Sequence, residues 1–297
     1  MFSGSLVAIV TPFTSDGALD WPAWDRLLDF HLAGGTDGIV VAGTTGESPV
    51  LSLEEIEELT RRAVVRCRGR LKVIVGSGTN STADSVLRTR NLSRLGVDGV
   101  MLVTPYYNKP PQEGLYRHFC AAADVSAASM ILYNVPSRTG VDLLPATVGR
   151  LARHPRIVAV KEATPEVSRA RELIALLPPE FSVLSGDDAS AVDFIEAGAR
   201  GVISVTANVA PRNVRDVCAA ALAGDLERAR GLDAHLKLLH RDLFVEANPI
   251  AVKWAVARMG LMGNAIRLPL VELAPVHQEV VLRALRAAGV AFKDQAA

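Results

Sequence analysis

Eight short runs rich in β-branched residues, each followed by a longer stretch with helical periodicity, occupy most of this 297-residue chain. They are LVAIV (6–10), GIVVAG (38–43), KVIVGSG (72–78), GVMLVTP (99–105), SMILYNV (129–135), IVAVKEA (157–163), FSVLSGD (181–187) and GVISVTA (201–207). Such alternation is the pattern of parallel βα units. Eight units closing on themselves predict an α/β fold, a (β/α)8 TIM barrel. Helix start signals support the phasing: Asp20 with Pro22, Ser52 with Glu54 and Glu55, and Thr82 with Asp84 precede the first three helical stretches. A doubly wound open sheet shares the alternation, but no GxGxxG or GxxxxGK turn follows any run, which counts against it. After the eighth run, further helical stretches at 226–240, 250–259 and 276–288 exceed what one closing helix needs. The expected organisation is a catalytic barrel over 1–224 and a C-terminal helical extension over 225–297. With no low-complexity linker between them, the extension should pack on the barrel.

The 32 basic and 32 acidic residues cancel, so no net field draws the chain to nucleic acid or an anionic membrane. A small neutral or anionic substrate is the natural partner. Three scattered cysteines, Cys67, Cys120 and Cys218, make neither a disulfide framework nor a metal cluster, and a cytoplasmic location is expected. No apolar run is long enough for a signal or membrane segment. The six histidines show no HExxH or paired spacing, which leaves a zinc-dependent aldolase or hydrolase without support. No metal and no common cofactor is expected. Asp187 and Asp188 read either as metal ligands or, as adjacent acids after a strand more often are, as loop and cap residues, and their charge after the seventh strand argues against a sugar-phosphate substrate.

Reactive residues of a barrel come from the C-terminal ends of its strands, and this rule sorts the six lysines. Lys72 opens the third strand, Lys109 lies in a Pro-rich loop, Lys237 and Lys253 fall in helices, and Lys293 is in the tail. Only Lys161 ends an apolar strand. Apolar surroundings disfavour an ammonium and favour the neutral amine that attacks a carbonyl. Lys161 therefore reads either as an imine-forming nucleophile or as a lysine ion-paired with a neighbour such as Glu162. Tyr133 ends the adjacent fifth strand; alone it reads as a packing tyrosine, but beside Lys161 its phenol can move the protons that carbinolamine dehydration requires. Gly43-Thr44-Thr45-Gly46-Glu47, after the second strand, is either an ordinary βα turn or a tight one offering hydroxyls and amides to a carboxylate. Arg138 is either a surface arginine or a bidentate clamp for a second carboxylate.

Further short motifs share the order and spacing of these: Val103-Thr104-Pro105-Tyr106-Tyr107-Asn108, the stretch 133–140, Val160-Lys161-Glu162-Ala163, Ser185-Gly186-Asp187-Asp188, the stretch 201–209 and Phe244-Val245-Glu246-Ala247-Asn248-Pro249-Ile250. Together they closely resemble the dihydrodipicolinate synthase (4-hydroxy-tetrahydrodipicolinate synthase) family over nearly the whole chain. The resemblance implies a lyase that condenses pyruvate with L-aspartate 4-semialdehyde through a Schiff base, giving 4-hydroxy-tetrahydrodipicolinate for diaminopimelate and lysine biosynthesis. It implies Lys161 as the imine-forming residue, Tyr133 as proton donor and acceptor, and Thr44 and Tyr107 as the rest of a proton relay. Thr45 and the backbone at Ile203 would hold pyruvate, Gly186 would line the pocket, and Arg138 would bind the semialdehyde's carboxylate. The resemblance also implies that Tyr107 comes from a neighbouring subunit, in a homotetramer built as a dimer of dimers.

Ser48, Asn80 and Tyr106 resemble the effector site of lysine-inhibited bacterial members. Those members commonly carry histidines where this chain has Leu53 and Ile56, and a glutamate where it has Asp84. Each missing charge-assisted hydrogen bond costs about 1.5–3 kcal/mol, so weak or absent inhibition by L-lysine is expected. Pro49 and Ala251 also differ from common family choices. Two other readings compete. One is a related pyruvate lyase, such as N-acetylneuraminate lyase or a keto-deoxy sugar-acid aldolase, against which Arg138 and the Tyr106-Tyr107 pair argue. The other is a non-catalytic keto-acid sensor, which has no need of a strand-end amine.

Overall fold

In the computed structural model, which describes residues 1–293, eight parallel strands close into a TIM barrel in chain order. They are β1 (Gly4–Ala8), β2 (Gly38–Val41), β3 (Lys72–Gly76), β4 (Gly99–Val103), β5 (Ser129–Asn134), β6 (Ile157–Glu162), β7 (Ser182–Ser185) and β8 (Gly201–Ser204). β8 returns to β1 with Leu6 opposite Ile203. All eight expected strands form, although their ends differ from the apolar runs. β1 stops at Ala8 instead of reaching Val10 because the Asn208 side chain takes over the ladder's work. Its Oδ1 accepts from the Val10 amide at 3.0 Å, and its Nδ2 donates to the Ala8 carbonyl at 2.9 Å.

Strand alternation sorts the side chains into two apolar layers. One fills the barrel with Val40, Ile74, Met101, Ile131, Leu184 and Ile203, and Phe2 joins it from the strand-start end. Gly99 makes room for that plug, since a Cβ there would stand 2.7 Å from the Phe2 ring. The other layer, including Val7, Ile39, Val75, Leu132, Val160 and Val183, faces the surrounding helices. Each fully buried aliphatic side chain contributes about 1.5–3 kcal/mol, so both layers hold the strand ends in fixed relation.

The helices start largely where the capping residues indicate. Asp20 caps Trp21–Gly34 by accepting from the Ala23 amide at 3.0 Å, and Gly35 ends it with a φ of 73°. Ser52 and Glu55 form a capping box on Leu53–Cys67. The helix Thr82–Leu92 is capped one residue earlier than expected: Ser81 accepts from the Asp84 amide, while the Thr82 hydroxyl bonds to His118 Nδ1 at 3.0 Å. The expected helix over 226–240 divides into Leu226–Ala234 and Lys237–Asp242. At the break the amides of His235 and Leu236 bond three residues back, to Leu232 and Asp233, and His240 is held between Thr206 and Asp233.

Pro211–Leu222 packs on β1 and β8, and Leu226–Ala234 packs on Pro211–Leu222. Pro275–Ala287 covers both Lys237–Asp242 and Ile250–Arg258. Buried residues of these last helices, among them Ala229, Leu239, Val252 and Leu285, belong to the same apolar cluster as the barrel's outer layer. Cys67, Cys120 and Cys218 are free thiols in helices. Among the described residues no helix is long and apolar enough to cross a membrane.

Candidate active site

One extra residue in β6 decides which way Lys161 points. Met130 of β5 pairs with Ile157, but Ile131 pairs with Ala159, leaving Val158 unmatched. Strand side chains alternate faces, so a one-residue slip would turn Lys161 toward the helices. With the irregularity in place, Ala159 joins Ile131 and Tyr133 in the barrel interior, and Val160 joins the outer layer. Lys161 follows Ala159 inward. Tyr133 and Lys161 are direct register partners, buried at 6% and 4% exposure. The lysine Nζ stands 4.3 Å from the centroid of the phenol ring, close enough for the aromatic face to attract a protonated amine.

The ion pair between Lys161 and Glu162 does not form. Glu162 faces the outer layer, where it accepts from Asn134 Nδ2 at 3.0 and 3.2 Å and from the Thr164 amide at 2.9 Å. Burial there pushes its carboxyl above the usual range. Asn134 Nδ2 also donates to Asp142, which is paired with Arg169 at 2.7 Å. This outer network braces the ends of β5 and β6 from behind.

Gly186, just past β7, borders the lysine. A Cβ there would lie 3.0 Å from Lys161 Cε and 2.7 Å from Ala163 Cβ, so glycine leaves the lysine stem its place. Ile203 is fully buried in the interior. Beyond it, the chain is held by Asp188, whose carboxylate accepts from the Ser204 hydroxyl and from the amides of Val205 (2.8 Å) and Thr206 (3.0 Å). Asp187 accepts from the Ser190 amide and hydroxyl. Both acids thus serve loops and caps. Among the described residues no group of three or more His, Cys, Asp or Glu is placed to hold a metal.

The turn after β2 is more constrained than an ordinary connection. Gly46 lies against the segment just past β1, where a Cβ would approach the Ile9 carbonyl oxygen to 3.1 Å, and the Thr11 hydroxyl donates to the Gly46 carbonyl at 2.7 Å. Glu47 adopts a left-handed φ of 58°. Its carboxylate pairs with the Lys253 ammonium, both side chains being 1% exposed, and also accepts from the Arg267 amide at 3.2 Å. Thr45 is buried and its Oγ1 accepts from Asn248 Nδ2 at 3.0 Å. Burial pushes the Lys253 ammonium down to about 8. Sequence reasoning set Lys253 aside as one more helical lysine and gave Asn248 no role. A signal was present for Lys253, because its helix, IAVKWAVAR, offers a lysine no polar face.

A cavity of about 310 Å³ opens at the C-terminal ends of β2 to β5, between Thr44, Gly78, Val103, Tyr106, Val135 and Arg138. Val103 is the register partner of Tyr133, and Val135 is the next residue of the interior cluster beyond it. The cavity therefore lies next to the phenol's strand, with Lys161 one strand further on, although neither Tyr133 nor Lys161 lines it. Its volume lies at the small end of ligand sites and suits a short acid. A depression of about 480 Å³ lies at the opposite end, beside Phe2, Lys72, Asp98 and Ser129, on the face that serves stability.

Ser48 and Tyr106 line the cavity at β2 to β5, whereas Asn80 and Asp84 do not. Asp84 is exposed in the first turn of its helix. Ile56 is fully buried and Leu53 packs on the same core, so neither offers a polar group. Arg88 does line the cavity, adding a second guanidinium to that of Arg138. Tyr107 is 87% exposed with a left-handed φ of 74° and does not line it. Of the expected catalytic set, Thr44 lines the cavity, Lys161 and Tyr133 are buried without lining it, and Tyr107 alone is exposed.

Residues 1–288 match the family model described as the dihydrodipicolinate synthetase family. The chain belongs to this family. It is 53% identical to the 4-hydroxy-tetrahydrodipicolinate synthase of Stutzerimonas stutzeri, over 98% of this chain and 99% of that one. With the enzyme of the same name from Aromatoleum aromaticum the identity is 54%, over 98% and 99% of the two chains. Among solved structures, the dihydrodipicolinate synthase of Aquifex aeolicus superposes with a TM-score of 0.96 at 44% identity, covering 99% of this chain and 100% of that one. The Acinetobacter baumannii enzyme, described as chloride-inhibited and solved with pyruvate, gives 0.96 at 46% identity, over 98% and 100%. Membership of the dihydrodipicolinate synthetase family extends across barrel and C-terminal helices alike, so the turn at 43–47 and the helix that grips it fall within one matched unit.

Proposed function

We propose that this chain condenses pyruvate with L-aspartate 4-semialdehyde to give 4-hydroxy-tetrahydrodipicolinate, the product for which its relatives are named. The observation that carries the reading is the buried Lys161–Tyr133 pair beside a small cavity whose charged lining consists of two arginines. In this reading Lys161 Nζ attacks the keto carbon of pyruvate, and Tyr133 supplies the proton with which the carbinolamine oxygen leaves as water. Loss of a methyl proton from the imine gives an enamine, whose carbon adds to the aldehyde. The amino group of the extended chain then attacks the imine carbon, closing the ring and releasing Lys161. Thr44 and the partner-supplied Tyr107 complete the proton relay. Thr45 and the backbone at Ile203 hold pyruvate, Gly186 lines the pocket, and Arg138 holds the semialdehyde's carboxylate.

The same reading assigns residues 1–224 to the catalytic barrel and 225–297 to an extension supporting its mouth; the last four residues lie outside those described. In this reading the enzyme is cytoplasmic and a homotetramer, a dimer of dimers; the exposed Tyr107 supports a second subunit at each site. Assaying pyruvate with each candidate aldehyde tests the reaction. Turnover with aspartate semialdehyde should exceed that with N-acetylmannosamine or a sugar-acid aldehyde by about 100-fold or more in kcat/KM. An equal or better sugar substrate would contradict it.

L-lysine added at low millimolar concentration should inhibit weakly or not at all in a steady-state assay. Leu53 and Ile56 present no polar partner, Asp84 stands outside the cavity, and Arg88, which lines it, adds a positive charge that does not favour a cationic amino acid. Strong inhibition over that range would show that Ser48, Asn80 and Tyr106 suffice to bind the effector.

A further inference from the structure

We infer that Asn248, from the C-terminal segment, is a positioning residue for pyruvate that fixes the direction of the hydrogen bond at Thr45. The inference rests on the proposed role of Thr45 in holding the keto acid. A threonine hydroxyl has one proton to give and lone pairs to receive. Asn248 Nδ2 donates to Thr45 Oγ1 at 3.0 Å, which occupies the receiving side. Among the described residues the hydroxyl's own proton has no acceptor. It is therefore available to a carboxylate, a group that only accepts when ionised. Were Thr45 to donate to the protein instead, it would turn lone pairs toward the substrate's negative charge.

The pair is closed off from solvent. Thr45 and Asn248 are buried, at 2% and 6% exposure, so little water reaches the pair. Asn248 Oδ1 is buried without a partner, and Nδ2 is the atom directed at Thr45. Five residues on, Lys253 pairs with Glu47, two residues from Thr45. Two tethers thus bind one C-terminal segment to one βα turn, each across more than two hundred residues of chain. The ion pair supplies position and the amide supplies polarity.

Asn248→Asp and Asn248→Ala separate polarity from simple loss of a contact. Aspartate keeps the size but replaces the donor by an acceptor, so it would draw the Thr45 proton away from pyruvate and add a repelling charge. Alanine removes the bond and leaves the proton free. Pyruvate KM should rise about 3–10-fold in N248A and about 50-fold or more in N248D. In both, kcat and the KM for the semialdehyde should stay within about threefold of the wild type. Thermal melts report whether each variant folds. If N248D does not, a double-mutant cycle of N248A with Thr45→Val decides: N248A should have no further effect on pyruvate KM once the hydroxyl is gone. A pyruvate KM in N248D equal to or below that in N248A overturns the inference, as does full additivity in the cycle. Trapping with borohydride keeps the two readings apart. No pyruvate adduct in the wild type sinks the reaction itself, whereas adducts forming at the same half-saturating pyruvate in wild type and N248D sink only the role of Asn248.

Discussion

Replacing Lys161 with alanine is expected to abolish turnover, lowering kcat by roughly ten-thousandfold or more, because loss of the nucleophile closes the whole covalent route. The effect should be chemical, not structural. Lys161 is buried but makes no ion pair among the described residues, and it lies beside the Tyr133 ring, its register partner Leu184 and Gly186. Shortening it therefore leaves no buried carboxylate without its partner. Melting temperature should fall little, and circular dichroism should be unchanged, while initial rates of condensation disappear. A variant within tenfold of wild-type kcat would place the reacting amine elsewhere.

Lys253 is the second buried lysine, and its replacement should act through stability. Lys253→Met leaves the Glu47 carboxylate buried with the Arg267 amide as its remaining hydrogen-bond donor. Breaking one side of a buried ion pair costs about 3–5 kcal/mol, whereas replacing both sides with neutral groups is often nearly neutral. Urea midpoints should accordingly drop sharply for Lys253→Met and recover most of the loss in the double variant Glu47→Gln/Lys253→Met. The pair also has a pH signature. Burial holds the ammonium at about 8 against an ordinary value of 10.5, so between those values the unfolded chain binds more protons than the folded one. The group's contribution is fully present above 10.5 and is lost as pH falls through about 8, so stability attributable to it rises with pH across the window. Lys253→Met should remove that slope. A double variant no more stable than Lys253→Met would show that the pair is not energetically coupled.

The barrel was legible because a period of two, repeated eight times with helical stretches between, leaves few other ways to bury the strands. Lys161 and Tyr133 were legible for the same reason: both end strands, and only strand ends open toward a barrel's chemistry. Their exact facing was not. It depends on the unmatched Val158 in β6, a local irregularity that apolar patterning does not reveal. Asn248 and Lys253 escaped because their partners, Thr45 and Glu47, lie more than two hundred residues away in the chain. A long-range polar contact leaves no local period. The expected effector residues divide similarly, since whether Asp84 or Arg88 turns toward the cavity is decided by how the helix Thr82–Leu92 is seated, not by either residue's identity.

The central claim is that Lys161 is the amine that pyruvate meets. Incubating the protein with pyruvate, reducing with borohydride and mapping the peptides by mass spectrometry measures it directly. One reduced pyruvate adduct per chain, located on Lys161 and missing when pyruvate is omitted, is the expected result. Pyruvate-dependent modification of another lysine, or none at all, would contradict it.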